Sequence, residues 1–258
     1  DRAVSDGADT PEIPDNPASW RVEGMRNLEL PPRRAEVRRL AAAMRDVIEH
    51  LVSTTASEAE LTDAADQLEA LADVLRALPR GQSYQGFSEA ANAGEAIQLH
   101  RERVAGSAGR APTMDVDDPE RFAFFDHSPF IGLANPLSPP MTLGYDHDPE
   151  LGDTVVGTVT FGNAYEGPPA CVHGGYVAAV FDELLGATQS LSGSPGMTGT
   201  LTITYRSPTP LHTELHFTGE LVRVEGRKIF THGRLTAGDT LCAEADAIFI
   251  SIDFSKFA

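Results

Sequence analysis

An α+β architecture, a curled antiparallel sheet around one central helix behind an α-helical N-terminal region, is predicted by three features of the sequence. Two strand patterns come first, at residues 141–147 and 154–161. One helical stretch follows at 171–186, and four long strand patterns close the chain at 198–206, 213–224, 228–235 and 241–252. Strands of that length twist and curl, and a curled sheet wraps a helix inserted in its own order.

Residues 1–30 are rich in Pro, Asp and other polar residues, hold Trp20, the single Trp, and predict an extended arm. Behind Pro31 and Pro32, Val37, Leu40, Ala41, Met44, Val47, Ile48 and Leu51 recur at helical spacing. Ser57 and Glu60 form a capping-box pattern, and Leu61, Ala64, Ala65, Leu68, Leu71, Leu75 and Leu78 continue a second helix to Pro79 and Gly81. The two helices are expected to pair as an antiparallel hairpin, with the leucine stripe packing on a twin or on the next domain. A short helix is expected around residues 90–104. A Gly/Ser/Ala linker at 106–112 and an acidic turn at 115–119 then divide the chain into an arm (1–30), a helical region (31–110) and a sheet domain (118–258). Phe122, Phe124, Phe125, Phe130 and Ile131 make an aromatic segment suited either to capping an apolar pocket or to filling a core.

The strand at 154–161 is rich in Thr and Val, and in the next one Leu201, Ile203 and Tyr205 alternate with Thr200, Thr202 and Thr204. Turn signals at 208–210, 225–226 and 237–239 predict antiparallel hairpins between successive strands of the C-terminal half.

Between them lies the helix. Pro168 and Pro169 stop any arriving strand, and Val177, Val180, Phe181, Leu184 and Thr188 then share one face, an apolar stripe fit for a core. A second stripe, Gly175, Ala178, Ala179, Asp182 and Gly186, sets a carboxylate among small residues, so another group can approach it closely. Gly174 and Gly175 leave backbone N–H groups uncovered at the positive end of the helix dipole, which suits a carbonyl or oxyanion. Gly175 and Asp182 are about 10 Å apart at ~1.5 Å per residue, too far to serve one reacting atom. Two such helices antiparallel across a dimer axis resolve this, each N-terminus facing the partner's Asp182. A Gly pair also commonly ends a loop and a mid-helix Asp commonly faces water, so this stretch alone supports either reading.

The chain has 258 residues, 41% hydrophobic and 22% charged, enough for one or two domains with a sizeable core. No apolar run approaches the ~20 residues of a membrane span. A net charge of −18 argues against nucleic acid as a partner, and an anionic ligand would need a local arginine cluster, for which Arg206, Arg223, Arg227 and Arg234 are candidates. The start Asp1-Arg2-Ala3-Val4 lacks a secretory layout, and Cys171 and Cys242 make no disulfide framework, so a cytoplasmic setting with both thiols reduced is expected. Cys171 reads as a small buried filler ahead of a nucleophile.

His173-Gly174-Gly175, the acidic residue nine positions after the His at Asp182, and the strand Leu201-Thr202-Ile203-Thr204-Tyr205-Arg206-Ser207-Pro208 resemble the hotdog-fold thioesterases of the phenylacetate-degradation (PaaI) and 4-hydroxybenzoyl-CoA thioesterase superfamily. The likeness covers roughly residues 122–252. It implies a homodimer, often paired again into a tetramer, that binds an acyl-CoA thioester at its interface and needs no cofactor or metal. It further implies that the Gly174 and Gly175 backbone beside His173 polarises the thioester carbonyl, and that the partner's Asp182 activates water or attacks directly. Thr198 matches a small hydroxyl residue that positions the water, and Tyr176, Glu166 and Arg206 are candidate substrate contacts. Many relatives carry an Asn or Gln several residues before the His; this chain departs from that pattern, its Glu166-Gly167-Pro168-Pro169-Ala170 stretch offering only Glu166. A non-catalytic acyl-CoA sensor, with the N-terminal helices as its responding module, is the alternative on the same fold.

Overall fold

The computed structural model describes residues 32–79, 128–148, 152–194 and 196–251. The expected arm, the helix at 90–104, the domain boundary and Phe122, Phe124 and Phe125 lie outside the described residues. Two helices, α1 (Pro32–Ser53) and α2 (Glu58–Ala77), precede β1 (Thr142–Asp148) and β2 (Gly152–Thr160). Helix α3 (Gly174–Gln189) follows, then β3 (Gly196–Tyr205), β4 (Glu214–Glu225), β5 (Lys228–Ala237) and β6 (Thr240–Ser251). All six strands join one antiparallel sheet in the order β1-β2-β4-β5-β6-β3, with α3 packed on its inner face. This is the hotdog arrangement.

The large stripe of α3 is the centre of the core, with Val177, Val180, Phe181, Leu184 and Thr188 all buried. They face Leu215 and Phe217 of β4 and Ile229 and Leu235 of β5, and Phe181 meets Phe217 edge to face at 5.4 Å. The helix sits this close because Gly219 and Gly233 pair with each other beneath it. A side chain at Gly219 would run into Thr188, and one at Gly233 would press on Leu184 and Leu185.

One of the three expected hairpins is not formed. β4–β5 and β5–β6 pair with their sequence neighbours, but β3 pairs with β6 at the sheet edge and β4 pairs with β2. The connection at 206–213 can reach roughly 25 Å when extended. It runs along the segment before α3, where Val172 N–H donates to Thr209 O and Leu211 N–H to Ala170 O. Pro208 and Pro210 favour that extended path over a fold-back.

The helices do not pack as a hairpin either. α2 opens with the expected capping box, the Ser57 hydroxyl accepting from Glu60 N–H while the Glu60 carboxylate accepts from Ser57 N–H. It buries no residue, however, and makes no lengthwise contact with α1. α1 instead lies on the sheet domain, with Ala41 buried and Arg45 donating to the carbonyls of Leu133 and Asn135. The reason is its polar face: Arg45 and Glu49 find backbone partners there that α2 cannot supply.

Among the described residues, the buried core cluster draws on none before Ile131. A chain beginning at Asp118 is therefore expected to stay soluble and keep the strand signature in far-ultraviolet circular dichroism. Insolubility would mean that α1 belongs to the same folding unit as the sheet.

Candidate active site

The N-terminus of α3 is shaped by the segment in front of it. Gly162 precedes a single turn of 3-10 helix, Asn163–Tyr165, and Glu166 bridges back to Val172. The Glu166 carboxylate accepts from Ala170 N–H at 2.7 Å, holding a tight loop in which Ala170 takes a left-handed φ of 61°. Tyr165 O accepts from His173 N–H at 2.9 Å. His173 is the N-cap, its Nδ1 accepting from Gly175 N–H at 3.0 Å, so the neutral ring carries its proton on Nε2.

That cap separates the two glycines. Gly175 N–H is engaged by His173, whereas among the described residues Gly174 N–H meets no acceptor, and it is the amide open to an incoming carbonyl oxygen. Tyr205, which the sequence reading did not single out for the site, lies over this turn and donates to Gly174 O at 2.7 Å. Tyr176 projects from the same turn, partly exposed, its ring edge-on to Tyr165 at 4.9 Å. Burial first, with smaller contributions from neighbouring charges, pushes the Tyr165 phenol up to about 12, so it stays a hydroxyl and donates to Leu137 O.

Asp182 lies two turns along the helix on the face that the sheet leaves open. A Cβ at Gly186 on this face would meet nothing, and one at Gly175 would meet only His173. Thr198 of β3 donates its hydroxyl to Asp182 Oδ1 at 2.7 Å. Strict alternation puts Thr198 on the opposite side of the strand from Leu201, Ile203 and Tyr205. A register shift between Thr198 and Thr200 reverses this, turning Thr198 and Tyr205 to the same helix. The structure thus joins Asp182 to Thr198 and His173 to Gly175, and keeps the two pairs apart within one chain.

Arg206 is paired with Glu244 at 2.9 Å, and Arg234 shares that carboxylate at 3.8 Å. Arg223 pairs with Glu225 and stacks on Phe230, and Arg227 donates to Ser251 O. The four arginines therefore have partners within the chain and form no single cluster. Cys171 is half-buried and Cys242 buried, both as free thiols. Among the described residues no helix is long and apolar enough to cross a membrane.

Glu183, next to Asp182, was not singled out from sequence either, although two adjacent acids on a buried helix were its signal. Burial first, then the neighbouring Asp182 charge, pushes its carboxyl up from 4.5 to about 7, against a weak pull from the Ser128 hydroxyl at 3.4 Å. The native state then holds a proton that the unfolded chain releases. The stabilising effect is complete below pH 4.5 and is lost as pH rises towards 7. At ~1.4 kcal/mol per unit this amounts to at most about 3 kcal/mol, reduced by partial solvent access. Glu183→Gln is expected to melt near wild type at pH 5 and above it at pH 8. Parallel melting curves across that range would remove Glu183 as the titrating group.

The thioesterase superfamily profile matches residues 171–244. Acyl-coenzyme A thioesterase THEM4 of Mus musculus is 39% identical over 93 residues, 35% of this chain and 40% of that protein. THEM4 of Xenopus laevis is 36% identical over 89 residues, again 40% of its length, so the alignment leaves more than half of each relative unmatched. A crystal structure of a thioesterase superfamily protein superposes with a TM-score of 0.63 at 30% identity, covering 83% of this chain and 90% of that one.

Proposed function

The chain belongs to the thioesterase superfamily, and from that premise we propose that it hydrolyses an acyl-CoA or acyl-carrier thioester to a free acid and a thiol. The observation that carries this reading is the Thr198 hydroxyl donating to Asp182 Oδ1 at 2.7 Å on the open face of α3. With Oδ1 held, Oδ2 is available to take a proton from water, and the lone pairs of Thr198 Oγ1 orient that water. The water oxygen bonds to the thioester carbon and its proton passes to Asp182. The carbonyl oxygen, now negative, accepts a hydrogen bond from the Gly174 N–H at the positive helix end. Collapse of the adduct breaks the C–S bond, and the sulfur leaves with the proton held by Asp182. Direct attack by the carboxylate through an anhydride is the variant of this step.

The ~10 Å between Gly175 and Asp182 supports a homodimer in which each site combines the amide of one chain with the carboxylate of the other, with a dimer of dimers as the next level. The edge of β3, which pairs with no other strand among the described residues, and the partly exposed Tyr176 favour the same reading. Tyr176 is then a substrate contact near the acyl group. Among the described residues Arg206 and Arg234 share the one carboxylate of Glu244, which makes this a place for an anionic part of the thiol carrier. A reducing cytoplasm suits the two free thiols.

Release of free thiol from a panel of acyl-CoA esters of increasing chain length, read with a thiol reagent, tests the reaction. Turnover of at least one ester is expected. Saturable binding of the esters without thiol release would replace hydrolysis with a sensor function.

A further inference from the structure

Ala41, Arg45 and Glu49 recur at i, i+4 and i+8 and present one face of α1 to the sheet domain. Glu49 Oε1 accepts from Asn163 N–H at 2.8 Å and Oε2 from Ala164 N–H at 3.2 Å, so one carboxylate caps the turn Asn163–Tyr165. Gly162 has no side-chain cap of its own to offer that turn, and a Cβ there would run into the Glu49 carboxylate. His212 Nε2 and Asn163 Oδ1 lie 2.9 Å apart and tie the turn from its other side. Burial opposes the charge on Glu49, but the Asn163 and Ala164 amides and His212 outweigh it and hold the carboxyl below its ordinary value.

The turn leads straight into the first turn of α3. Tyr165 O accepts from His173 N–H, and the Tyr165 ring packs edge-on to Tyr176. Glu49 therefore stands two hydrogen-bonded links from the residue that caps Gly175 and precedes the open Gly174 amide. We propose that Glu49 is a positioning residue of the thioesterase site, and that α1, by capping the Asn163–Tyr165 turn, fixes the direction of the first-turn amides of α3. This rests on the proposed hydrolysis. It makes the N-terminal helix a working part of the site, an inference independent of whether the sheet domain folds alone.

The test uses the full chain. Glu49→Ala is expected to lower kcat about tenfold with KM within twofold, and to raise hydrogen exchange at the His173 and Gly175 amides. Glu49→Gln keeps an acceptor and restores most of both. Gly162→Ala displaces the carboxylate without removing it, and the obstacle is the end of a flexible side chain, so the fold is retained. It is expected to reproduce the Glu49→Ala values, and the double variant should be no worse than either single one, since both remove one interaction. Loss of thermal stability alone, with kcat and the two exchange rates unchanged, overturns the proposal, as does full additivity in the double variant. Should Glu49→Ala fail to fold, Gly162→Ala and Glu49→Gln decide by the same readings. A wild type inert towards every acyl-CoA ester sinks the hydrolysis reading, and the exchange rates then decide the coupling alone.

Discussion

Asp182→Asn is expected to remove at least two orders of magnitude from thioester hydrolysis while the protein stays folded with its oligomeric state unchanged. The substitution keeps volume and the acceptor for Thr198, because the Asn side-chain oxygen can take the bond now made at 2.7 Å. What it loses is the capacity to take a proton from water, and a hundredfold loss corresponds to about 2.7 kcal/mol in the barrier. Asp182 lies on the open face of α3 and contributes nothing to the buried stripe, so the melting temperature should change little. Steady-state kinetics separate the roles: the loss should fall on kcat and leave KM nearly constant, as for a group needed in the transition state. A variant turning over near the wild-type rate would rule Asp182 out as the catalytic group.

The core of α3 was legible because four apolar residues repeat at helical spacing and Thr188, the one polar member of the stripe, can satisfy its hydroxyl on the helix's own Leu184 O, so the whole face can be buried. Strand positions followed from alternation, as in β4, where Leu215, Phe217 and Gly219 are buried and His216 and Thr218 exposed. Pairing order did not follow. The turn signals around Pro208 and Pro210 look like a hairpin, yet the same prolines hold an extended crossing when an adjacent segment supplies hydrogen bonds. Thr198 was matched by resemblance, but its bond to Asp182 depends on a one-residue register shift that a periodic reading cannot contain. Glu166 is all that residues 166–170 offer in place of the relatives' amide, and not clearly at the matching position; its bond to Ala170 N–H belongs to a loop whose left-handed residue is not a glycine, so composition gave no sign of it. Helical spacing puts the apolar residues of α1 on one surface, but Ala41 is buried while Val47 and Leu51 are exposed, because the polar partners of Arg45 and Glu49 set how the helix lies.

Mixing two dead chains is expected to restore activity. Asp182→Asn lacks the base, and Gly174→Val sets a branched side chain where a Cβ alone would already lie 3.3 Å from the Tyr205 hydroxyl, closing the approach to the Gly174 amide. If each site takes its amide from one chain and its carboxylate from the other, a mixed dimer has one site with both lesions and one with neither. The intact site sets a ceiling of about half the wild-type activity per mixed dimer. Random re-pairing of equal amounts makes about half of all dimers mixed, so the bulk mixture should approach about a quarter of wild type, far above two parents each reduced at least a hundredfold. Isolating the mixed dimer with two different affinity tags removes the dilution and measures the ceiling directly. Verified mixed dimers as inactive as either parent would mean that Asp182 serves a substrate bound within its own chain. The ~10 Å along α3 would then have to be closed by a substrate lying along the helix rather than across the axis between two chains.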